Sequence, residues 1–536
     1  MSKFNKTATK TVARTLSKDG VKAYKPSDRQ DLCERVLTCF YGEDRFYESG
    51  KQSVSTLEKL VRKVATEDPV FVAKLAVLAR EEFNLRSVSQ VLVAELSRIH
   101  RGDALVSVAM NRITKRPDDM IETMAYLLQD AKVVTDIDGR TKHTNKKIPN
   151  QIKKGIASSF GKFDEYQLSK YRSAGKGLKL RDLLLITRPK PADEAQAALW
   201  GRLLSDELKT ADTWETSISK TGQQAKKKDG SIDKEKQEEL KREAWEDKIM
   251  SKKLPYMAAL RNLRNIIQAG VSTEAHKRLQ DYLSNEKAVI GSKQLPFRFY
   301  TAYKVLKKEA FNSTDPFVRK SLSTVVDGYL KALNRALFYS GQNIPKLKGR
   351  TVLMTDLSGS MQTALSDNSD VSYKEVGAVL STLAGQFCEE FVNIGFGTNM
   401  ALINIDGNPD NTLNNVDMIC RTDVGWSTNA GQVFNYLTKH NIKADNVIIF
   451  TDMQLNGAYG SGGFDSSVST YRSKVTNDAY VYQINLAGYG STQLDPRNGK
   501  NISMGGWSDA TLKYITEYQQ LRNGVVDMVD SVKLNY

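Results

Sequence analysis

Over its first 350 residues the chain repeats apolar side chains every three to four positions, which predicts amphipathic helices of similar length. Asp68 followed by Pro69 predicts a helix start, because a carboxylate caps the free amides of a first turn and proline is tolerated there. Pro117 predicts another start. The predicted buried faces consist of Leu32, Val36, Leu37 and Phe40; of Leu57, Leu60, Val61 and Val64; of Val72, Leu75, Ala76, Leu78 and Ala79; of Val88, Val91, Leu92, Ala94 and Leu96; and of Ile121, Met124, Leu127 and Leu128.

These helices pair at intervals of roughly 40 residues, which favours a HEAT-like helical repeat. An ordinary helical domain is the alternative. No sustained alternation of apolar and polar positions predicts strands before residue 350. We therefore predict an all-α domain over residues 31–345, preceded by a flexible basic arm over residues 1–30.

After residue 350 the pattern changes to short apolar runs alternating with helical stretches, which predicts an α/β domain with a doubly wound sheet over residues 346–536. The predicted strands are 352–354, 393–396, 447–450 and 480–486, and the predicted helices are 376–387, 430–437, 467–471 and 508–518. A run such as Val352, Leu353 and Met354 is typical of a strand buried on both faces.

Polar side chains follow two of these strands. Asp356, Ser358 and Ser360 come at a spacing of two after the first strand, and Asp452 ends the strand at 447–450. Thr428 precedes a predicted helix. Carboxylate and hydroxyl oxygens are hard ligands that suit Mg²⁺, so these five residues are a candidate metal site. The alternatives are a turn rich in Ser, Gly and Asp, and a solvated acid at a strand end.

The composition limits the class of protein. A chain of 536 residues is too long for one ordinary core, which predicts two or more domains. No run of eighteen apolar residues predicts a membrane span, and the first residues lack the apolar core of a signal peptide. Cys33, Cys39, Cys388 and Cys420 have neither metal-ligand nor disulfide-framework spacing. We expect a cytoplasmic protein.

Charge is distributed unevenly. Residues 351–536 hold 11 Lys and Arg against 19 Asp and Glu, a net charge of −8, whereas residues 1–350 hold 67 against 43, a net charge of +24. A basic region of that size attracts polyanions by neutralising phosphates and releasing counterions. The charge favours a nucleic-acid partner over the alternative, a solubilising surface.

One basic segment, residues 146–191, interleaves cations with Phe163, Tyr166 and Tyr171. Cations neutralise phosphates, and aromatic faces stack on unpaired bases. A helical hairpin with lysines on its polar face is the alternative. Residues 204–250 differ, because opposite charges alternate there with almost no apolar positions, which predicts an exposed loop and a solvated helix. The basic positions of the first segment are Lys146, Lys147, Lys153, Lys154, Lys170, Arg172, Lys176, Lys179, Arg181, Arg188 and Lys190.

The order Asp-x-Ser-x-Ser, Thr, Asp resembles a von Willebrand factor A domain with its metal-ion-dependent adhesion site. Further motifs resemble the TROVE module of the Ro autoantigen family, the proteins of Y-RNA ribonucleoproteins. They are the basic segment, the run Leu-Pro-Tyr-Met-Ala-Ala-Leu-Arg-Asn-Leu-Arg-Asn at 254–265, and Leu-Pro-Phe-Arg-Phe-Tyr-Thr-Ala-Tyr at 295–303. The match spans roughly residues 20–536, with its parts in the family's order.

This resemblance implies a monomeric closed ring of HEAT-like helices, whose ends are joined by the A-type domain. It also implies two RNA sites. Single-stranded 3′ ends of misfolded RNA enter a basic cavity, and a small structured RNA of the Y-RNA type lies on the outer basic face. Whether an exoribonuclease docks as a further partner is left open.

By position in the motif, the resemblance assigns the outer-face contacts to Lys170, Arg172, Arg188 and Lys190. Many family members have a His-x-Lys-Pro element where this chain has Arg188-Pro-Lys-Pro. The substitution keeps a positive charge and loses a neutral imidazole, which changes the expected preference for an RNA helix.

For the cavity we propose Arg261 and Arg264, which fall three apart on one predicted helix face. Structural hydrogen bonds from a buried arginine to loop carbonyls are the alternative. Lys146 and Lys147 complete the set of RNA-binding candidates.

Three functions follow from these features. The leading one is an RNA-binding ribonucleoprotein subunit that holds small structured RNA and receives misfolded or 3′-tailed RNA, in quality control or processing. The alternative is a protein-interaction scaffold whose metal site grasps an acidic side chain of a partner. Metal-assisted phosphodiester hydrolysis is disfavoured, because the four histidines do not cluster with the acids in sequence and no paired-metal carboxylate set is visible. We expect that the protein is not an enzyme.

Overall fold

The chain forms two compact units whose segments alternate along the sequence. The computed structural model describes residues 13–17, 22–38, 50–128, 133–135, 141–143, 148–171, 177–227, 231–309, 316–342, 344–365, 369–455, 463–507, 509–518 and 525–536. The sheet unit consists of Met1–Ser53, Ala259–Arg264 and His276–Asp527. The helical unit consists of Val54–Ala258, Asn265–Ala275 and Met528–Tyr536.

The described elements before residue 341 are mostly helices. In chain order they are β1 (Arg14–Leu16), β2 (Lys22–Tyr24), α1 (Asp28–Leu37), α2 (Gly50–Glu67), α3 (Pro69–Glu81), α4 (Arg86–Ile99), α5 (Leu105–Ile113), α6 (Pro117–Leu128), β3 (Val133–Thr135), β4 (Thr141–His143), α7 (Asn150–Phe160), α8 (Glu165–Tyr171), α9 (Leu180–Thr187), α10 (Glu194–Leu204), α11 (Trp214–Gln224), α12 (Lys234–Met250), α13 (Tyr256–Arg261), α14 (Leu263–Gln268), α15 (Thr273–Leu283), α16 (Glu286–Ser292), α17 (Phe297–Glu309) and α18 (Pro316–Ser340).

The helix starts predicted at two prolines are confirmed. Asp68 caps α3, and its carboxylate accepts a hydrogen bond of 3.0 Å from the amide of Phe71. Pro69 and Pro117 are the first residues of α3 and α6. In the helical unit α3 packs on α4 and α5, α4 packs on α6, and α7 packs on α5 and α9. None of the described helices combines the length and the apolar composition needed to cross a membrane.

The charged segment at 204–250 is better anchored than its sequence predicts. The rings of Trp214 and Trp245 stack with centroids 5.6 Å apart, which joins α11 to α12. The start of the segment is bound to α8, where the hydroxyl of Ser169 donates to the carbonyl of Lys209 at 2.5 Å and accepts from the amide of Ala211 at 3.2 Å. The predicted solvated helix is confirmed over most of α12, where only Trp245, Lys248 and Ile249 are buried. The prediction of an exposed segment is wrong at the base of the charged hairpin that α11 and α12 form.

The described elements after residue 346 alternate between strands and helices. In chain order they are β5 (Leu347–Asp356), α19 (Tyr373–Phe387), β6 (Cys388–Phe396), β7 (Met400–Ile403), α20 (Thr412–Arg421), α21 (Gly431–Lys439), β8 (Asn446–Thr451), α22 (Phe464–Lys474), β9 (Tyr480–Asn485), β10 (Asn501–Gly505), α23 (Asp509–Tyr518) and α24 (Val525–Asp530).

The predicted α/β sheet is confirmed, with strand order β10-β9-β8-β5-β6-β7. The four pairs from β10 to β6 are parallel, and β7 adds an antiparallel edge strand that the sequence pattern did not reveal. In the central strand Val352, Leu353 and Met354 are fully buried, as expected for a strand between two layers of helices. The carboxyl ends of β5 and β8 therefore lie side by side, since Thr355 pairs with Phe450.

The described part of the predicted flexible arm is instead ordered on the sheet unit. β1 and β2 form an antiparallel hairpin, and Tyr24 makes a two-way backbone bridge with Thr492. The Tyr24 hydroxyl donates to Asp465 at 3.0 Å. These partners lie more than 400 positions away, so local sequence does not reveal them. Residues 1–12 lie outside the described part of the chain.

Within the sheet unit, a carboxylate on α20 holds α17. Asp417 accepts hydrogen bonds from the hydroxyls of Tyr300 at 3.1 Å and Tyr303 at 3.0 Å, and pairs with the ammonium group of Lys307 at 2.7 Å. Burial is the main reason that the pKa of the Tyr303 hydroxyl is raised, so this group stays a donor at neutral pH.

Candidate functional site

Asp356 is the last residue of β5, and its carboxylate is completely buried. One carboxylate oxygen, Oδ1, accepts a hydrogen bond of 3.0 Å from the amide of Ser358. The other, Oδ2, accepts one of 2.8 Å from the hydroxyl of Thr451 at the end of β8.

The other predicted metal ligands lie at the same edge of the sheet. The hydroxyls of Ser358 and Ser360 are 3.5 Å apart, and both residues are buried. Asp452 follows directly after β8 and is buried, and its carboxylate accepts from the amide of Gln454 at 3.3 Å. Because β5 and β8 are adjacent and parallel, the two acids leave the sheet side by side.

Thr428 reaches this edge through a loop that is bonded to the first one. The amide of Gly359, between the two serines, donates to the carbonyl of Trp426 at 2.9 Å. On the other side the amide and hydroxyl of Ser427 donate to the hydroxyl of Thr398 at 3.1 and 3.0 Å. Thr428 itself is buried. The structure therefore brings all five predicted ligands to one end of the sheet, on three loops.

The donor set fits a hard divalent cation. It offers two carboxylates and three hydroxyls, and oxygen ligands of this kind suit Mg²⁺. Within the described residues, no group of three or more His, Cys, Asp or Glu side chains is gathered as a metal cage. The hydroxyls would therefore have to complete the coordination of any cation bound here.

Two residues of this edge were missed by the sequence prediction. Thr451 orients the Asp356 carboxylate, and its position directly before Asp452 was the available signal. Trp426 lies two residues before the predicted ligand Thr428, and 73% of its surface is exposed. An exposed tryptophan cannot be found from periodicity, because an isolated apolar residue in a loop has no repeat.

Among the predicted RNA contacts, Lys170 lies at the end of α8 with its ammonium group 5.5 Å from the ring centroid of Tyr171. The guanidinium of Arg116, which the sequence did not single out, lies 4.7 Å from the same centroid. Two cations thus meet on one half-buried aromatic ring. Phe163 is buried, so the prediction that it can stack on RNA is wrong, whereas Tyr166 is exposed.

Arg188 and Lys190 are both exposed, just after α9. Arg188 ends that helix in the left-handed conformation, with φ of 47° and ψ of 57°, and its amide donates to the carbonyl of Leu184 at 2.9 Å. Pro189 follows and cannot continue the helix. Lys146, Lys147 and Arg172 lie outside the described residues.

The predicted shared helix of Arg261 and Arg264 is not formed. α13 ends at Arg261 and α14 begins at Leu263, so the two arginines belong to different helices. Both are exposed, which disfavours the alternative of a buried structural arginine. Burial lowers the pKa of the nearby Arg298 guanidinium, and the charge of Arg261 lowers it further. Like charges are therefore gathered at this turn.

Models of known protein families match both the helical part and the α/β part of the chain. The profile of the TROVE domain matches residues 41–242 and 235–355, and the profile of the Ro60 vWA domain matches residues 350–519. Telomerase protein component 1 of Rattus norvegicus is 24% identical over 331 residues, which are 47% of this chain and 12% of that protein. The Mus musculus protein of the same name is 25% identical over 322 residues, 46% of this chain and 11% of that protein. The chain thus spans only about an eighth of these relatives.

A solved structure is similar over nearly the whole chain. The crystal structure of the RO (RSR) protein of Deinococcus radiodurans matches with a TM-score of 0.58 and 15% identity, covering 92% of this chain and 99% of that one. Because the two sequences are only 15% identical, this similarity is evidence for a shared fold alone.

Proposed function

This chain belongs to the TROVE-domain family, whose members are RNA-binding components of ribonucleoproteins, and we propose that it binds a small structured RNA through the exposed basic side chains of its helical unit. The type of RNA and a second RNA ligand are further parts of this proposal. The RNA would be of the Y-RNA type, and misfolded or 3′-tailed RNA would be a second ligand in RNA quality control. Binding, rather than cleavage, is the proposed role.

The observation that carries the proposal is the exposed pair Arg188 and Lys190. Both cations are presented on an irregular segment after α9, where proline prevents further helix. Leu185 and Ile186, on the last turn of the same helix, are also exposed, Leu185 to 54%. Aliphatic surface beside cations is typical of a contact with a large partner, because phosphates take the charges and sugar or base edges cover the apolar atoms.

The cluster around Tyr171 supports the same surface. Arg116 is fixed by a paired contact with Asp118, at 3.0 and 2.6 Å, and still lies against the ring. The ammonium group of Lys170 lies 5.5 Å from the centroid of the same ring. An ordered cation of this kind positions a phosphate without losing much side-chain entropy.

For single-stranded RNA we propose Arg261 and Arg264 as contacts. Their exposure and the proximity of Arg261 to the Arg298 guanidinium support a phosphate-binding turn, because neighbouring cations attract an anion. At the sheet edge, Asp356, Ser358, Ser360, Thr428 and Asp452 would hold Mg²⁺. When bound, the ion would supply a positive charge within the acidic region over residues 351–536.

A gel-shift titration with a small hairpin RNA tests the proposal. Replacing Arg188 and Lys190 together by alanine should weaken binding roughly ten-fold, because two phosphate contacts are lost. The matched control is the double alanine variant of Lys226 and Lys227, which are exposed in the same unit at the tip of the charged hairpin. The control has the same change in charge and should bind like the wild type. Equal affinities for all three proteins would refute the outer-face assignment.

A further inference from the structure

The most exposed large apolar side chain among the described residues belongs to Trp426, and it lies at the candidate metal centre. Tryptophan usually buries most of its large surface, so an indole that is 73% exposed is informative. Its backbone is fixed on both sides. The carbonyl of Trp426 accepts from Gly359 at 2.9 Å, and the next amide, of Ser427, donates to Thr398 at 3.1 Å.

The indole also contacts the loop of the two serines. A Cβ atom placed on Gly359 would lie 3.1 Å from Cε3 of Trp426, so the ring packs on the backbone of this glycine. Gly359 separates Ser358 from Ser360, the two hydroxyl donors of the candidate site. One part of the ring thus touches the metal-binding loop, and most of the rest faces solvent.

We propose that Trp426 is a stacking platform for a nucleobase of single-stranded RNA whose phosphate is drawn to the cation site beside it. This inference rests on the proposed function and names its ligand at the sheet edge. A cation held by this donor set would attract a phosphate oxygen, and the indole packs on Gly359, in the loop that carries two of the donors. Indole faces stack on any base, so this contact would hold RNA without regard to sequence.

A nucleobase fits the site better than an apolar segment of a protein. The exposed indole is a single flat surface beside donors for a cation, and base stacking needs one flat surface and a neighbouring positive charge. An apolar protein segment would need a wider patch. The other exposed large apolar groups described in this half of the chain include Leu402 on the edge strand β7 and Met418 on α20, which are on other elements.

Tryptophan fluorescence tests this inference directly in the full-length protein. Trp200, Trp245 and Trp507 are buried and Trp214 is half-buried, so quenching by acrylamide reports chiefly on Trp426. Adding a short oligouridylate with Mg²⁺ should protect the fluorescence from acrylamide, and EDTA should abolish the protection. Trp426→Ala should weaken oligouridylate binding about ten-fold, whereas Leu402→Ala, an exposed control in the same unit, should not.

The outcomes separate this inference from the function on which it rests. If RNA binds in a gel shift but leaves the quenching of Trp426 unchanged, the stacking role is wrong and RNA binding stands. If an Asp-containing peptide protects Trp426 in Mg²⁺ and RNA does not, the site is a protein-binding site. If no RNA binds at any salt concentration, both proposals fail.

Discussion

The hydroxyl of Thr451 donates a hydrogen bond of 2.8 Å to the Oδ2 atom of Asp356. The two residues are 95 positions apart in the chain and terminate neighbouring parallel strands. With the amide of Ser358 on the other oxygen, this bond fixes the plane of a buried carboxylate before any cation arrives. Such preorganisation reduces the free energy that binding must spend on ordering the ligands.

We predict that Mg²⁺ stabilises the wild-type protein through this site. A ligand that binds only the folded state stabilises it by about 2.7 kcal/mol at a concentration 100 times its Kd. Differential scanning fluorimetry should therefore show a melting temperature that rises with Mg²⁺. Asp356→Asn and Asp452→Asn should abolish the rise, because each removes one of the two negative charges.

Asp410→Asn is the matched control for these variants. Asp410 is an exposed acid of the same unit that pairs with Arg335 at 3.3 Å. Its variant should keep the full response to Mg²⁺. An unchanged response in Asp356→Asn would show that the ion binds elsewhere.

The contact of Asp417 with α17 predicts a large effect on stability. Asp417→Ala should lower the free energy of unfolding by about 3 kcal/mol, because two buried tyrosine hydroxyls and the ammonium group of Lys307 lose their acceptor. Urea denaturation followed by circular dichroism measures this loss.

Asp410→Ala provides the comparison for the Asp417 variant. Its pair with Arg335 is more than half exposed on both sides, so its loss should cost less than about 1 kcal/mol. If the two variants lose equal stability, the network around Asp417 contributes no more than an ordinary surface ion pair.

Glu34 on α1 predicts a dependence of stability on pH. Its carboxylate is buried, accepts from Asn485 at 2.9 Å and from Ser503 at 2.8 Å, and burial raises its pKa above the ordinary 4.5. A group whose pKa is raised by folding stabilises the folded state fully below pH 4.5, and this stability is lost as pH rises through the folded pKa.

Glu34→Gln should remove this loss, because the amide stays neutral and keeps an acceptor for Asn485. Relative to the wild type, its free energy of unfolding should therefore increase with pH above 4.5, by at most about 1.4 kcal/mol per pH unit, until the pH passes the pKa of Glu34 in the folded protein. Urea denaturation from pH 4 to pH 8 measures the difference. Parallel curves of unfolding free energy against pH for the two proteins would refute this assignment. Glu390→Gln is the control, because Glu390 is an exposed acid and its replacement should not change the pH dependence.

The sheet and its polar edge were predictable because their signals are local. Apolar runs such as the one ending at Met354 predict buried strands, and parallel strands place their last residues at one edge. Asp356, Ser358 and Asp452 therefore converge as the sequence indicated. The helix starts at Pro69 and Pro117 are equally local, since a cap needs only neighbouring residues.

The remaining features either depend on contacts that are distant in sequence or lack a clear local signal. Nothing near Tyr24 indicates its partner Thr492, and β1 is too short for a repeat to be visible. α20 was missed because its first turn is rich in asparagine, which disfavours helix by its intrinsic propensity. The break between Arg261 and Leu263 likewise has no proline or glycine to mark it.

The most direct test is the salt dependence of binding between the purified protein and a small hairpin RNA. We predict that the logarithm of the association constant falls steeply and linearly with the logarithm of the KCl concentration. The double alanine variant of Arg188 and Lys190 should lower the slope by roughly 2, since each lost phosphate contact removes about 0.9. An association constant independent of salt, or no binding in dilute buffer, would contradict RNA binding by this basic surface.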